Sequence, residues 1–246
     1  MMVFKWAASS LANSTAAAAA VTLAFTGLAR LLHGVTWSGA LAGAVVSFVL
    51  YMSAGPGAFL GLVSVFLIAV GTTRVGYARK RQLGTAERAE GRNASQIFAN
   101  LGVAAVSALL FKMSGNATFL LAAAAAMAEA AADTASSEIG EASSGQARLI
   151  TSFKLVPAGT DGGITLTGSL AGAAAATVVA VVASVVGLLP ARSILLVSTA
   201  GFCGMVLDSI LGAVLERRGV LNNDTVNFLG TLSAALIVVI AARCLS

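Results

Sequence analysis

The chain has 246 residues, of which 58% are hydrophobic and 10% are charged, and its formal net charge is +5. Soluble domains carry about 25% charged residues, so this composition excludes an ordinary soluble protein. Several apolar stretches reach the roughly 20 residues that a bilayer span requires. We therefore predict an all-α polytopic membrane helix bundle of about seven or eight transmembrane helices, rich in Ala and Gly, with residues 1–246 as a single integral membrane domain.

The apolar segments divide the chain into eight predicted spans. In chain order they cover residues 8–30, 36–53, 57–75, 94–112, 117–138, 162–188, 192–214 and 225–244. Two polar connections separate some of these spans, a basic one at 76–93 and a longer one at 139–161. The polar motifs begin near residue 94, so we expect residues 94–246 to form the catalytic core.

The distribution of Lys and Arg predicts the orientation in the membrane. With eight spans, eleven of the fifteen Lys and Arg residues fall on one side, which the positive-inside rule makes cytoplasmic. All ten Asp and Glu residues fall in or beside connections on this side. We therefore expect an active site that faces the cytoplasm, at a bacterial inner membrane or, in a photosynthetic source, at a thylakoid or plastid envelope membrane.

Carboxylates at the ends of apolar helices are the clearest functional signal. Asp133 and Asp208 lie near the C-terminal ends of apolar helices, where the helix dipole disfavours negative charge. Asp161 and Asp224 each follow a loop at the start of the next predicted helix, where helix capping explains them equally well. Because this order occurs twice, it indicates a parallel internal repeat with a site between its halves.

The acids also predict the kind of ion that the site binds. Convergent carboxylates without a His or Cys cluster favour a hard cation, and Mg²⁺ is typically bound by one or two carboxylates together with substrate phosphates. We predict that Mg²⁺ is bound by Asp133, Asp161, Asp208 and Asp224. Glu129 lies one helical turn before Asp133 and is expected either to support it or to face a partner shielded from lipid. Glu141 is expected to lie in a solvated loop.

The segment 158–163, AGTDGG, places flexible backbone at a predicted helix start, where amide groups can bind phosphate. The chain has no GxxxxGK[ST] motif, which excludes a P-loop nucleotide site, and no GxSxG or HExxH motif. Basic residues without interleaved aromatic residues give no reason to expect nucleic acid as a partner. These features indicate phosphate chemistry on a lipid substrate.

Five segments carry a resemblance to a known family: GRNASQIFANLGVAA, ADTASSEIG, RLITSFKLVPAGTDGGITLTGSLAG, GFCGMVLDSILGAVLE and LNNDTVNFLGTLSAAL. They resemble a family of uncharacterised membrane proteins, found across life, that includes the phytyl-phosphate kinase of the vitamin E pathway. The resemblance covers residues 10–246, and 148–172 is its most specific part. The family is similar in chemistry to the CTP-using membrane kinases of phytol and dolichol.

The resemblance implies transfer of a nucleotide γ-phosphate, with CTP as the expected donor, to an isoprenyl monophosphate such as phytyl phosphate. At 155–158 this chain has LVPA where the family often has a bulkier and more basic segment, which leaves acceptor length and donor open. We assign catalytic roles to Lys154, Asp133, Asp161 and Asp208. Substrate and nucleotide contacts are assigned to Arg79, Arg92, Asn100, Glu138, Thr151, Gly159, Thr160, Gly162, Gly163, Asn223, Asp224 and Asn227.

Two other functions share these features. A transporter or flippase for a lipid phosphate or small anion would share the internal repeat, although it would place charges near the bilayer midplane. A cytidylyltransferase that makes a CDP-lipid would share the acids and Mg²⁺ but would release pyrophosphate. The expected partners are membrane lipid, the prenyl phosphate and a nucleotide, and a homodimer is left open.

Overall fold

The computed structural model describes residues 15–87, 90–143 and 146–244. Within these ranges, six helices are long and apolar enough to cross a membrane, so the predicted membrane helix bundle is confirmed. Residues 8–14, where the first predicted span begins, lie outside the described residues. The elements are α1 (Thr15–Leu31), α2 (Trp37–Arg74), α3 (Tyr77–Leu83), α4 (Ala94–Ser114), α5 (Thr118–Ala142), β1 (Ala147–Leu149), β2 (Leu155–Val156), β3 (Gly163–Ile164), α6 (Leu166–Val185), α7 (Ile194–Leu211) and α8 (Asn223–Cys244).

Helix α2 folds back on itself. Gly55 has φ 79° and ψ −175°, a conformation that glycine tolerates, and Pro56 follows it. At the C-terminus of α2, Nη2 of Arg74 donates a hydrogen bond to the Leu32 carbonyl at 3.2 Å. A straight helix of 38 residues would hold its ends about 57 Å apart. The ends of α2 instead lie together, so its two limbs correspond to two predicted spans.

Helix α5 is the centre of the bundle. Its apolar window is 67% buried, against 33–39% for the other candidate spans of the described chain. The run of alanines in α5 allows this, because small side chains let neighbouring helices approach closely. A Cβ atom added to Gly201 of α7, for example, would lie 2.8 Å from Cβ of Ala128. Two acids of α5, Glu129 and Glu138, are therefore buried in the protein.

The connection between α5 and α6 contains a small sheet that was not predicted. Strand β1 pairs antiparallel with β2 on one side and with β3 on the other. Helix α6 begins at Leu166, and the Thr165 hydroxyl caps it by accepting a hydrogen bond from the Gly168 amide at 3.0 Å. The predicted helix start at residue 162 is therefore wrong. The helix-cap interpretation of Asp161 is wrong for the same reason, because Thr165 caps this helix.

Candidate functional site

A polar cavity lies where α5, α7 and α8 meet the glycine-rich segment 158–163. Two chambers of about 200 Å³ and 350 Å³ share five lining residues, and together we call them the polar cavity. The shared residues are Asp133, Ser137, Glu141, Asn223 and Asn227. Glu141, which was expected in a solvated loop, belongs to the last turn of α5 and to this lining. The π-helical turn Gly212–Glu216 after α7 adds Glu216, which the sequence pattern does not single out.

Twelve of the sixteen residues assigned to the site from the sequence line the polar cavity. The cavity therefore brings together residues from α4, α5, α7, α8 and the loop before α6. The twelve are Arg92, Asn100, Asp133, Glu138, Gly159, Thr160, Asp161, Gly162, Gly163, Asp208, Asn223 and Asn227.

Four assigned residues lie outside this lining. Lys154 and Thr151 are exposed in the turn that joins β1 to β2, and Arg79 is exposed on α3. Asp224 lies in the first turn of α8, where a carboxylate complements the helix dipole. Of the two aspartate pairs in the predicted repeat, the structure therefore places Asp133 and Asp208 together but separates Asp224 from the cavity.

The glycine-rich segment forms a closed turn. The amide of Gly163 donates to the Thr160 carbonyl at 2.7 Å, and the amide of Thr160 donates to the Pro157 carbonyl at 3.3 Å. Gly162 has φ 70°, and a Cβ atom there would lie 2.4 Å from Cβ of Ala213. Glycine is thus required for conformation and for space, while two of the amides expected to bind phosphate are engaged within the turn.

Lys80 and Glu138 meet at the wall of the polar cavity. The Lys80 side chain is fully buried, and its Nζ donates hydrogen bonds to the Glu138 carboxylate and to the Thr73 carbonyl. Nη2 of Arg92 lies 4.0 Å from Oε1 of Glu138, and its Nε lies 3.9 Å from Oε2 of Glu87. Lys80 belongs to a basic run that reads as surface charge in the sequence, so the pattern does not reveal this pair.

Two carboxylates lie deeper, between α5, α7 and α8. Glu129 is 1% exposed and Asp208 is 8% exposed. Oε1 of Glu129 and Oδ2 of Asp208 are buried without a hydrogen-bond partner. Among the described residues, no three His, Cys, Asp or Glu side chains cluster closely enough to hold a metal ion. The predicted ion would therefore need further oxygen ligands, from water or substrate phosphates, besides one or two carboxylates.

A second, apolar cavity of about 70 Å³ adjoins the polar cavity. Side chains of α1, both limbs of α2, α4 and α5 enclose it, including Phe25, Leu62 and Phe66. Four polar residues line both cavities, namely Arg92, Gln96, Asn100 and Thr134. Arg92 thus lies at the junction of the apolar cavity and the polar cavity. This arrangement suits an amphipathic ligand with an anionic head.

Comparison with known proteins gives several matches. Residues 20–235 match the family described as "Integral membrane protein DUF92". An uncharacterized membrane protein of Methanocaldococcus jannaschii is 33% identical over 200 residues, 81% of this chain and 82% of its own length. One from Synechocystis is 28% identical over 243 residues, 97% and 92% respectively. The chloroplastic protein VTE6 of Arabidopsis thaliana is 29% identical over 219 residues, 85% and 66%. No solved structure matches the chain.

Proposed function

The chain belongs to the DUF92 family of integral membrane proteins, and on that basis we propose that it is an isoprenyl monophosphate kinase. The reaction transfers the γ-phosphate of a nucleotide, with CTP as the expected donor, to a prenyl monophosphate such as phytyl phosphate. The product is the prenyl diphosphate. The resemblance to the phytyl-phosphate kinase of the vitamin E pathway supports this reaction, and the similarity to VTE6 is consistent with a role in that pathway.

The junction of the two cavities carries the proposal. A prenyl phosphate has an apolar tail and a compact anionic head. The polar cavity offers an environment for the head, and the apolar cavity of about 70 Å³ offers one for the part of the tail beside it. Arg92, Gln96 and Asn100 line both the apolar cavity and the polar cavity. They lie where the head group of a ligand in the apolar cavity would enter the polar cavity. A planar guanidinium is well suited to binding phosphate oxygens. A small-anion transporter would have no need of the apolar chamber.

Phosphoryl transfer requires positioning and charge neutralisation more than covalent chemistry. When bound, Mg²⁺ would offset the negative charge of the two reacting phosphates. Asp133 and Asp208 are the residues proposed to hold it, with Asp161 beside them in the lining. The buried Oδ2 atom of Asp208 has no hydrogen-bond partner, which suits a cation that prefers oxygen ligands. The acceptor phosphate is already ionised, so the reaction needs no general base.

Arg92 is proposed to orient the acceptor phosphate, and Asn223 and Asn227 are proposed to contact the nucleotide. Both asparagines line the two chambers of the polar cavity, on the side that α8 contributes. Lys154 was assigned a catalytic role from the sequence, but it is exposed in the turn before β2 and outside the cavity lining, so Arg92 is the better candidate for contact with phosphate. The cytoplasmic orientation of this site is part of the proposal.

The decisive experiment supplies the purified chain in nanodiscs with Mg²⁺, each nucleoside triphosphate labelled at the γ-phosphate, and prenyl monophosphates of increasing length. Formation of labelled prenyl diphosphate supports the proposal. Release of pyrophosphate with a CDP-lipid would identify a cytidylyltransferase instead. If no product forms and the chain moves lipid phosphate between the leaflets of a liposome, it is a flippase and the kinase proposal fails.

A further inference from the structure

Glu129 is the most deeply buried carboxylate that the proposed reaction does not use. It lies on α5 one turn before Asp133, and it is 1% exposed. Its Oε1 atom is enclosed by protein and has no hydrogen-bond partner. An unpaired carboxylate in such a place is costly, because a charge removed from water loses several kcal/mol of solvation. Its position therefore calls for a compensating group.

Asp208 of α7 has the same unusual property. It is 8% exposed, and its Oδ2 atom also lacks a hydrogen-bond partner. A Cβ atom built on Gly230 of α8 would lie 2.4 Å from Oε1 of Glu129 and 3.1 Å from Oδ2 of Asp208. Oε1 of Glu129 and Oδ2 of Asp208 are therefore at most 5.5 Å apart. They converge on a common space from two different helices.

Glycines on the neighbouring helices make room for the Glu129 side chain. A Cβ atom on Gly204 of α7 would lie 2.7 Å from Cγ of Glu129, closer than real side chains approach. Gly230 stands on α8 in the corresponding position for Oε1. Any larger residue at either position would displace the Glu129 side chain. The bundle is thus built around a carboxylate whose oxygen it leaves unpaired.

No basic side chain compensates these two carboxylates. Neither forms an ion pair with a basic residue in the described ranges. Both oxygens are therefore left without a donor from the protein. Two acceptor oxygens that converge without bonding to each other are the arrangement that two ligands of one cation adopt. Oxygens bound to one Ca²⁺ ion lie up to about 5 Å apart.

We propose that Glu129 joins Asp208 in binding a divalent cation that the chain holds even without nucleotide. In sharing Asp208 with the Mg²⁺ of the reaction, this inference rests on the proposed function. Oxygen ligands favour a hard ion of the Mg²⁺, Mn²⁺ or Ca²⁺ class, and such ions are often bound by one or two carboxylates with water completing the shell. Asp208 also lines the polar cavity, the side from which an ion would enter. The ion offsets both buried charges and joins α5 to α7.

Mn²⁺ binding to the full chain tests the proposal directly. The protein is stripped with a chelator in detergent, and free Mn²⁺ is measured by its paramagnetic resonance signal during titration. We expect one tightly bound ion per chain without nucleotide. Glu129→Gln and Asp208→Asn should each weaken binding at least 10-fold. Glu90→Gln, which removes an exposed acid outside the cavity lining, should bind Mn²⁺ like the unaltered chain.

Thermal unfolding supplies a second readout. Without metal, Glu129→Gln should be at least as stable as the unaltered chain, because it removes an unpaired buried charge. Mn²⁺ should raise the Tm of the unaltered chain and leave that of Glu129→Gln unchanged. The proposal is overturned if the unaltered chain binds no Mn²⁺, or if Glu129→Gln keeps full affinity. Neither nucleotide nor prenyl phosphate is present, so an absence of kinase activity would not affect this result.

Discussion

The ammonium group of Lys80 and the carboxylate of Glu138 form an ion pair enclosed by protein. The Lys80 side chain is 0% exposed and that of Glu138 is 11% exposed. Oε1 of the same carboxylate accepts a hydrogen bond from the Thr73 hydroxyl at 2.7 Å. Through this one carboxylate, α5 is joined to α3 and to the C-terminal end of α2, beside the polar cavity.

Breaking this pair should destabilise the fold. We predict that Lys80→Met lowers the free energy of unfolding by about 3–5 kcal/mol, because it leaves the Glu138 charge buried without its main partner. Thermal unfolding in detergent measures the loss. The double variant Lys80→Met/Glu138→Gln removes both charges and should recover most of the stability. A double variant as unstable as Lys80→Met would show that the lysine acts through its backbone hydrogen bonds and not through this pair.

Asp133 should be essential for turnover. Asp133→Asn keeps the shape of the side chain and removes its charge, and we predict a fall of roughly 10²-fold in Mg²⁺-dependent turnover, equivalent to about 2.7 kcal/mol. The assay is prenyl diphosphate formation across a Mg²⁺ titration. Glu90→Gln changes an exposed acid outside the cavity lining and should leave turnover within a few fold. Turnover near that of the unaltered chain for Asp133→Asn would remove this residue from the site.

Filling the apolar cavity should discriminate between acceptors by length. Ala69 is 8% exposed and lines this cavity. We predict that Ala69→Leu raises KM for a long prenyl phosphate at least 10-fold and alters KM for the shortest acceptor much less, because only the tail is obstructed. Ala20→Leu makes the same change at an exposed position of α1 and should have little effect. An equal rise for all acceptors would place the tail elsewhere.

Gly230 should not tolerate a methyl group. A Cβ atom there would meet Oε1 of Glu129 at 2.4 Å, so we predict that Gly230→Ala destabilises the chain by about 1–3 kcal/mol through overpacking. Gly102 of α4 has no atom within 4 Å of the corresponding position. Gly102→Ala should therefore be neutral or slightly stabilising, since alanine favours helix over glycine. Equal melting temperatures for the two variants would contradict the observed packing.

The polar connections should face the cytoplasm. Accessibility tags inserted at 76–93 and at 139–161 are expected to report the cytoplasmic side, because most of the basic residues lie on this side of the bundle. Labelling with a membrane-impermeant reagent in intact and opened cells distinguishes the two faces. A tag that reports the opposite face in either connection would reverse the orientation and remove the access of cytoplasmic nucleotide to the cavity.

The sequence predicted the features that depend on the length of apolar segments and on isolated charges within them. The spans follow from apolar length, and Asp133 and Asp208 stand out because they are charged residues within apolar helices. The expected position of Asp133 at a helix end is wrong, because α5 continues to Ala142. The burial of Lys80 could not be predicted, since its neighbours Arg79 and Arg81 have the same polarity but are exposed. Strands β1, β2 and β3 have two or three residues each, too few to show an alternating pattern.

The convergence of Glu129 with Asp208 was equally hidden. The two residues are far apart in the chain, and only the packing of α5 against α7 and α8 brings them together. The glycines that make room for them could be read as ordinary small residues of a membrane bundle. The position of Glu141 was misjudged because α5 continues to Ala142, beyond the predicted end of that span.

The reversal of α2 at Gly55 has a consequence for biogenesis. Between Trp37 and Thr73 the sequence contains no charged residue, so no charge near the turn determines on which side of the membrane the turn is placed. Arg30 and Arg74 flank the whole unit at the same end, and we expect both limbs to enter the bilayer together as one hairpin. If α2 crossed the bilayer once instead of twice, every later span would have the opposite orientation and the polar cavity would face the other side of the membrane. The orientation of the cavity therefore depends on Gly55 and Pro56, in the middle of an apolar segment.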